Sequence, residues 1–560
     1  MSDILAKHWQ PAPGAAIRPA ATLVVLRDHG GLQALLLRRS THASDIHAGA
    51  CVFPGGTLNP ADRAARAHCV GLDDAAASRR LDLPSGGLDF HVAALRECFE
   101  EAGLMFATAT DGSPLGAAHR ARLAPLRAAL HRGEVDMSQM CTDAGLKLTP
   151  GALHYFSHWL TPPGVPKRFD TRFFVALAPA TQAGSPDNAE TVELLWLTPA
   201  EALERRVELK LTPPTVKTLQ WLGTHRTAAD VLSAAAAMTE IRCIMPRLAT
   251  GPKGMRAVMP EDPAWAELGR LDPDGHGRCR CDLEPGRVVD LSPRLKRVTA
   301  PNGNMMTGPG TNSYFIGGGA ANEWALLDPG PADDAHVQAL LARLPGKLMW
   351  IFATHTHPDH SPATVALQAA TGARVHGMVS AYKEWQDATF RPDVALRGGE
   401  VFHLPGGSTL QAIHTPGHAG NHLCYHLHEE RMLFTGDHVM QHSTVVINPP
   451  DGDMAAYLGS LRELERLDID WLAPGQGFLM AEPQATIRRV IEHRLRREAR
   501  VLAALRPEPL TIDQLLQTAY TDVPPKLLAM AARSLLAHLI KLRGDARAVE
   551  VDGGWRLMQP

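Results

Sequence analysis

The stretch Phe352-Ala353-Thr354-His355-Thr356-His357-Pro358-Asp359-His360 contains four candidate metal ligands within six residues. It follows the apolar run Leu348-Met349-Trp350-Ile351-Phe352, which is typical of a buried strand in a mixed α/β sheet. Because alternate side chains of an extended chain share a face, His355 and His357 are predicted to bind one metal ion. The aspartate and the histidine that end the stretch are predicted to face a second ion. The arrangement predicts a hydrolase that activates water at a metal.

The stretch resembles the signature of the metallo-β-lactamase-fold hydrolases, which implies an αββα sandwich. Two upstream segments, 308–316 and 324–330, resemble the opening hairpin of that sheet, in which the acid after the strand, here Asp328, orients a metal-binding histidine. Downstream, the spacing typical of the family selects His418 as the third imidazole. Asp437, in the Gly-Asp turn that follows a strand, is the carboxylate that can bridge two ions.

The resemblance thus implies two sets of ligands. The first ion takes His355, His357 and His418, which leaves His414 and His422 with structural roles. The second ion takes a set that comprises Asp359, His360 and Asp437. Asp359 is also the catalytic residue that holds or shuttles a proton.

The chain departs from the family at the next motif. Lactamase-fold hydrolases normally complete the second site with a histidine in a Pro-Gly-His-Gly turn, whereas this chain has Pro474-Gly475-Gln476-Gly477. An amide oxygen is a weaker ligand for zinc than an imidazole nitrogen. The sequence therefore predicts one tightly bound zinc, with Gln476 in a second site that binds zinc weakly or accepts a harder ion.

Three glutamates share one side of a helix predicted over residues 91–104, opposite an apolar stripe. Glu97, Glu100 and Glu101 repel one another, and a divalent cation reverses that repulsion. Oxygen-only ligands favour magnesium or manganese. A solvated acidic face is the alternative interpretation.

The order Arg96-Glu97-x-x-Glu100-Glu101-x-Gly103 resembles the Nudix box. The resemblance implies that magnesium bound by the three glutamates polarises a pyrophosphate, with Glu97 and Glu100 as catalytic residues. It also implies that Arg96 orients the glutamates at the substrate site. Glu190 and Glu193 are weaker candidates for another ligand or base, and a surface charge is the alternative for each.

The box is irregular, because Gly56 is followed at the family's spacing by Asp62 instead of Glu, and residues 63–90 are inserted before the helix. An inserted box, together with segments 159–163 and 167–174, resembles the Nudix branch that cleaves coenzyme A and its acyl esters. Coenzyme A or an acyl ester of it is therefore the expected substrate class of this half.

The end of the chain predicts a small winged helix. Helices over 511–520 and 525–542 precede two short strands joined at Asp552-Gly553-Gly554, a tight hairpin. With this tail, the second half resembles the lactamase-like-protein-2 branch, which includes a single-stranded-RNA endonuclease. His493 falls where that branch has a helix histidine near the active cleft, and is the expected substrate-binding residue there.

The fold class expected is therefore a multidomain α/β and α+β chain with a Nudix fold, an αββα metallo-β-lactamase sandwich and a winged helix. The expected boundaries follow from the motifs and from a segment rich in Ala, Pro, Gly and charge. They are a Nudix domain at 17–225, a linker at 226–285 with one helix at 228–238, a lactamase-fold domain at 286–480, a basic connecting helix at 481–507 and a winged-helix domain at 508–560.

Composition sets the class of protein. A chain of 560 residues with 45% hydrophobic and 21% charged residues suggests two to four ordinary globular domains. No signal peptide or membrane span is evident, and eight cysteines without a disulfide spacing suit a reducing compartment, so a cytoplasmic protein without a membrane partner is expected. A homodimer is an open alternative.

Charge leaves a nucleic-acid alternative open. From residue 484 onward the chain has thirteen Lys/Arg and eight Asp/Glu, and six arginines lie on one predicted helix. A solvated face is the simpler interpretation, and attraction of RNA or of a phosphorylated small molecule is the other.

The sequence therefore predicts a bifunctional metal-dependent hydrolase. The Nudix site would cleave a diphosphate linkage, and the lactamase-fold site would hydrolyse an ester, a thioester or a phosphodiester. Two alternatives remain: the second half cleaves single-stranded RNA, or one half is a non-catalytic binding module.

Overall fold

The computed structural model describes residues 16–41, 48–180, 182–441 and 444–558. The chain divides into two compact units. Unit 1 comprises Met1–Pro260 and Asp272–Cys279, and unit 2 comprises Glu261–Leu271 and Arg280–Pro560. Over the described ranges, no helix is long and apolar enough to span a membrane.

Unit 1 is built on an eight-stranded mixed sheet. At its centre, strand Ile17–Asp28 pairs in parallel with Arg168–Leu177 and antiparallel with Leu32–Arg39. Successive residues of the central strand point to opposite faces, so Leu23 and Val25 enter one core while Val24 and Leu26 enter the other. The other strands of this sheet are Cys51–Val52, Gly55–Thr57, His154–Leu160, Thr191–Leu197 and Cys243–Ile244.

Helices cover both faces of this sheet. The first core contains helix Gly87–Ala102, here called the glutamate helix, and the second core contains Pro213–Leu222 and Ala228–Ala237. The remaining helices of unit 1 are the 3₁₀ helices Pro60–His68 and Pro150–Ala152 and the α-helices Asp74–Leu81, Ala117–His131, Met137–Ala144 and Pro199–Glu204. Strands Ala107–Ala109 and Leu146–Leu148 form a separate pair, as do Arg247–Gly251 and Gly254–Val258.

The glutamate helix starts one turn before its predicted first residue and ends two residues early. Gly103 adopts a left-handed conformation and its N–H bonds the carbonyl of Phe99, which is a common way for a helix to end. The insertion before the helix is itself ordered, because it contains most of Pro60–His68 and all of Asp74–Leu81.

The segment 226–285 differs from the predicted linker. The predicted helix is present as Ala228–Ala237, but a hairpin and helix Trp265–Leu271 follow it. Ala228, Val231 and Ala235 are buried, since the small side chains of an alanine-rich helix allow close packing on a sheet. Composition predicted a linker here because small residues are frequent both in flexible chain and in helices that pack closely on a sheet, so composition alone does not distinguish the two.

Unit 2 contains two sheets packed face to face. Tyr314 and Phe352 of the first sheet share a core with Tyr425 and Phe434 of the second. The first sheet is formed by Val288–Ser292, Leu295–Thr299, Asn312–Gly318, Glu323–Leu327, Lys347–Phe352, Arg374–Gly377 and Val394–Ala395. The second is formed by Val401–Leu404, Ser408–His414, Leu423–Leu427, Met432–Gly436, Trp471–Pro474 and Met480–Ala481.

Helices pack on the outer face of each sheet, which gives the predicted αββα order. Val337 and Leu367, on helices Asp334–Ala342 and Thr364–Thr371, lie in a core with the first sheet. Helix Met454–Leu464 packs on the second sheet through a separate core. A short 3₁₀ helix, His428–Glu430, joins two strands of the second sheet.

The tail forms the predicted winged helix. Helix Pro483–Ala504, here called the basic helix, leads into helices Ile512–Ala519 and Leu528–Gly544, with a 3₁₀ turn at Pro525–Leu527. Strands Ala548–Val551 and Gly554–Leu557 form the wing, and Trp555 anchors it in its own core. The last two residues of the predicted domain, 559 and 560, lie outside the described residues.

Candidate functional site

The histidine-rich stretch follows the strand Lys347–Phe352, as its apolar pattern predicts. Asp328 comes directly after the neighbouring parallel strand and has a φ of 51°. Its carboxylate accepts hydrogen bonds from Thr354 N at 2.7 Å and from Thr354 Oγ1 at 2.9 Å. These bonds fix the start of the loop, so that His355 is almost completely buried.

Three imidazole nitrogens converge beyond this loop. His355 Nε2 and His418 Nε2 lie 2.9 Å and 3.0 Å from His357 Nδ1. His418 Nδ1 is 2.8 Å from the carbonyl of Val446, and a proton on Nδ1 directs the lone pair of Nε2 into the cluster. Burial and the neighbouring imidazoles lower the pKa of His355 well below its ordinary value and that of His357 to about 3. Neutral rings with converging lone pairs fit a divalent metal ion.

A second group of possible ligands lies beside the first and shares His355 with it. His360 Nε2 is 3.2 Å from Asp437 Oδ1 and 3.3 Å from Asp359 Oδ2, and His360 Nδ1 is 2.9 Å from Asp328 Oδ2. Burial alone would lower the pKa of His360, but the three carboxylates raise it well above its ordinary value. Asp437 Oδ1 is buried and has no hydrogen-bond donor among the described residues, as expected for an oxygen that faces a cation.

Gln476 reaches this second group. Its Nε2 lies 3.3 Å from Asp359 Oδ2 and 3.4 Å from His360 Nε2, while its Oε1 is buried and has no hydrogen-bond partner in the part of the chain that the structure describes. Since the two amide atoms are interchangeable by a 180° flip, the oxygen can face the same position. The chain therefore brings together all seven side chains that the sequence predicts for this centre.

Asn312 holds the turn that carries Gln476, and sequence reasoning missed this role. The Asn312 side chain donates to the carbonyls of Gly477 at 2.8 Å and Pro474 at 3.1 Å, and its backbone N–H donates to Gly475 O at 2.7 Å. A side chain at Gly475 would approach both Asp437 and His360 to 2.8 Å, so the turn requires glycine there. No local signal identifies Asn312, because its partners come far later in the sequence.

The two histidines expected to be structural do have structural contacts. His414 Nε2 is 3.0 Å from Gly420 O, and His422 Nδ1 is 2.8 Å from Thr415 Oγ1. His438, next to Asp437 in the chain, is buried with both nitrogens unbonded among the described residues.

His493 does not contact the histidine cluster in the part of the chain that the structure describes. It is half-buried on the basic helix, and its Nδ1 has no hydrogen-bond partner among the described residues. Its neighbour Arg494 instead donates to Val445 O, next to the carbonyl that orients His418. The substrate-binding role of His493 stays a prediction.

Arg96 is the centre of the charged site on unit 1. It donates to Asp62 Oδ1 at 2.7 Å, to Glu97 at 2.8 Å, to Glu100 at 3.1 Å and to the carbonyl of Thr57 at 2.8 Å. Asp62 is almost fully buried and also accepts a hydrogen bond from a backbone N–H. The shorter aspartate at the family's glutamate position thus makes an ion pair that orients the guanidinium.

The three glutamates face the protein interior more than solvent. Glu101 Oε2 accepts the N–H of Gly55 at 2.9 Å, and a side chain at Gly56 would collide with the carboxylate of Glu97. Burial raises the pKa of Glu97, of Glu100 to about 7, and of Glu101 well above its ordinary value. Buried carboxylates of this kind exclude the solvated acidic face.

The carboxylates of the three glutamates do not converge on one point in the described part of the chain. Among the described residues, groups of three ligand atoms within 4.8 Å of one another occur at the histidine cluster, and the glutamates form no such group. Arg96 lies between Glu97 and Glu100. Glu190 and Glu193 have exposed side chains near Arg39 and Arg38, as their surface interpretation predicts.

Comparisons with known proteins agree with this geometry. The model of the metallo-beta-lactamase superfamily matches residues 306–476. An atrochrysone carboxyl ACP thioesterase of Aspergillus chevalieri is 31% identical over 280 residues, which are 48% of this chain and 87% of that protein. The chain belongs to the metallo-beta-lactamase superfamily. It is a hydrolase. The metallo-beta-lactamase superfamily and the Nudix family, which both match parts of the chain, use divalent metals.

Two further family models match other parts of this superfamily member. The NUDT19 Nudix domain model matches residues 70–222, and the beta-lactamase associated winged helix domain matches 511–555. The atrochrysone carboxyl ACP thioesterase AgnL7 of Paecilomyces divaricatus is 29% identical and covers 45% of this chain and 81% of its own. A Nudix hydrolase structure from Alicyclobacillus acidocaldarius is 28% identical with a TM-score of 0.32, over 39% of this chain and 97% of that one.

Proposed function

We propose that unit 2 is a zinc-dependent thioester hydrolase and that unit 1 cleaves a diphosphate linkage in coenzyme A or a related acyl ester. The observation that carries the first half is the convergence of three imidazole nitrogens, since His355 Nε2 and His418 Nε2 lie 2.9 Å and 3.0 Å from His357 Nδ1. The two relatives named as thioesterases support the choice of a thioester over a phosphodiester.

His355, His357 and His418 would hold the tightly bound zinc. Asp359, His360, Asp437 and Gln476 would hold a second, weaker ion. When bound, these ions supply Lewis acidity toward a carbonyl oxygen and lower the pKa of water.

Asp359 is the group placed to hold a proton in this site. Its Oδ2 accepts a hydrogen bond from Thr311 Oγ1 at 3.1 Å, which fixes the carboxylate. Burial alone would raise the pKa of Asp359, but His360 brings it below the ordinary range, so the group is an anion before substrate binds. An anionic carboxylate beside the reacting centre can accept a proton from the attacking water and pass it to the leaving thiolate.

In unit 1, magnesium or manganese would be held by Glu97, Glu100 and Glu101. Burial has raised the pKa of each carboxyl, and an added cation offsets that energetic penalty. Arg96 would position two of the glutamates through its bonds to them. A phosphorylated small molecule is therefore the proposed partner of this unit.

The RNA alternative loses support from the basic helix. Arg488 pairs with Glu465, Arg496 with Glu492, and both Arg497 and Arg500 with Asp522. Because carboxylates neutralise most of these arginines, the helix does not offer the continuous cationic track that a polyphosphate chain requires. A scaffold role for either half stays an alternative, and a substrate panel separates it from catalysis.

The test is a panel of substrates run on wild type, Glu100→Gln and His355→Ala. The panel contains acyl thioesters, coenzyme A with magnesium, and an unstructured RNA. We expect thioester hydrolysis to be lost on His355→Ala alone and diphosphate cleavage on Glu100→Gln alone. Thioester hydrolysis that persists in His355→Ala would refute the assignment, and RNA cleavage lost on that variant would favour the nuclease.

A further inference from the structure

A loop with an exposed tryptophan is attached directly to the histidine cluster. This segment, residues 378–387, is here called the tryptophan loop. Asp387 N donates to Thr356 O at 2.6 Å, and Thr356 lies between two of the histidines. Ser361 Oγ, beside His360, donates to Asp387 Oδ2 at 2.7 Å. Since Trp385 is two residues from Asp387, its Cα lies within about 8 Å of that anchor.

A further chain of hydrogen bonds joins the loop to His418. Thr356 Oγ1 donates to Gln386 Oε1, and Gln386 Nε2 donates to Asp451 Oδ2 at 2.8 Å. Asp451 Oδ1 in turn accepts the N–H of Gly420 at 2.9 Å, two residues after His418. Hydrogen bonds thus join the tryptophan loop both to Thr356, between two of the histidines, and, through Asp451, to the segment that follows His418.

Trp385 occupies an unfavourable position for a structural residue. Its side chain is 61% exposed, and its φ of 65° places a bulky residue in the left-handed region. Tyr382 on the same loop is 43% exposed. Backbone strain that rigid contacts maintain, together with an aromatic ring facing solvent, is typical of a ligand-binding position.

A cationic side chain from the winged helix lies over the ring of Trp385. The guanidinium carbon of Arg533, on helix Leu528–Gly544, lies 5.2 Å from the centre of the Trp385 ring. Within the described ranges, no carboxylate pairs with Arg533. Its N–H groups are therefore available to an anion at the rim of the indole, and Arg533 orients the ring from one face.

We propose that Trp385 and Arg533 bind the nucleotide end of a coenzyme A thioester whose acyl end is hydrolysed at the histidine cluster. This inference rests on the proposed thioester hydrolysis and names its substrate class. A purine stacks on an aromatic face, and an arginine binds phosphate oxygens through its N–H groups. A thioester carried by a protein has a phosphate on its pantetheine arm but no base, so it would leave the indole unused.

One tryptophan beside one arginine that lacks a carboxylate partner among the described residues suits one nucleotide better than a strand. Binding of single-stranded RNA uses successive stacking rings and a basic groove. The basic helix lacks such a groove because its arginines are mostly paired within the unit.

The test compares three thioesters of one acyl group, carried by coenzyme A, by phosphopantetheine and by N-acetylcysteamine. We expect Trp385→Ala to raise KM about tenfold for the coenzyme A thioester and less than twofold for the other two. Arg533→Gln should raise KM for the coenzyme A thioester and leave the N-acetylcysteamine thioester unchanged. The matched control is Arg489→Gln. Arg489 is exposed on the basic helix, its side chain bonds only Thr486 among the described residues, and the substitution should change KM for none of the three thioesters. Magnesium is omitted so that unit 1 does not consume coenzyme A.

Equal effects of Trp385→Ala on all three thioesters would overturn the inference, since they would indicate a purely structural contact. If no thioester is hydrolysed, the proposed function fails separately, and calorimetric titration with adenosine 3′,5′-bisphosphate decides the inference. Wild type should then show a binding event that Trp385→Ala loses, and equal binding by both would overturn it. An effect of Trp385→Ala confined to cleavage of an unstructured RNA would also overturn it.

Discussion

Gln476 Nε2 lies 3.3 Å from Asp359 Oδ2, so a neutral amide stands where this superfamily normally has an imidazole. Because amide oxygen binds zinc more weakly than imidazole nitrogen, the two ion sites of unit 2 should differ in affinity. We expect elemental analysis of dialysed protein to find one zinc per chain, and Gln476→His to raise the content toward two. Two tightly held zinc ions in unit 2 of the wild type would contradict this expectation.

Asp328 should strengthen metal binding without being a ligand. Its carboxylate binds His360 Nδ1 and Thr354, so Asp328→Asn, which also tolerates a positive φ, removes charge and keeps shape. We expect metal affinity to fall about 10- to 100-fold in competition with a chelator. The control is Asp333→Asn, which alters a helix cap, has no hydrogen bond to a metal-ligand candidate among the described residues, and should keep wild-type affinity. Equal losses in both variants would argue against the orienting role.

Asp62 should stabilise unit 1 through its buried pair with Arg96. Removing one partner leaves the other charge buried, so Asp62→Asn should lower the free energy of unfolding by about 3 kcal/mol. Glu134→Gln breaks an exposed pair with Arg132 and should change it by less than about 1 kcal/mol. Urea unfolding monitored by hydrogen exchange in the glutamate helix measures both. A loss for Asp62→Asn no larger than the control would show that the aspartate is dispensable.

His91 should make unit 1 less stable in acid. Burial lowers the pKa of His91 to about 4, whereas the unfolded side chain has a pKa near 6.5. The unfolded state therefore binds the extra proton first, so this contribution is complete above pH 6.5 and is lost as the pH falls toward 4. The pH-dependent contribution of His91 to the free energy of unfolding amounts to at most about 3 kcal/mol.

The comparison is between wild type and His91→Gln, with the exposed His29→Gln as control. The melting temperature of the wild type and of the control should fall more steeply between pH 6.5 and 4.5 than that of His91→Gln. Parallel curves for all three proteins would show that His91 is not the titrating group.

Much of the site could be predicted from the sequence because its residues lie in short motifs. The strand before His355 follows from its apolar pattern, and the order of ligands and the position of Gln476 follow from the resemblance to the lactamase-fold signature. The fold of each half was implied by the resemblance of its motifs to a known family.

The remaining features depend on contacts between distant parts of the chain. Asn312 holds a turn at Pro474, and Arg533 reaches Trp385 from another domain. The helix Trp265–Leu271 joins unit 2 because Glu267 forms a buried pair with Arg297, which no composition reveals. Such contacts are set by tertiary packing and leave no periodic signal.

The rate of hydrolysis of an acyl N-acetylcysteamine thioester tests the central claim most directly, because this substrate engages the histidine cluster alone. Zinc-loaded wild type and Glu100→Gln should hydrolyse it at equal rates, and His355→Ala should lose at least about 100-fold, as expected when a metal ligand is removed. Equal rates in all three proteins, or no hydrolysis by the zinc-loaded wild type, would contradict the assignment of thioester hydrolysis to this site.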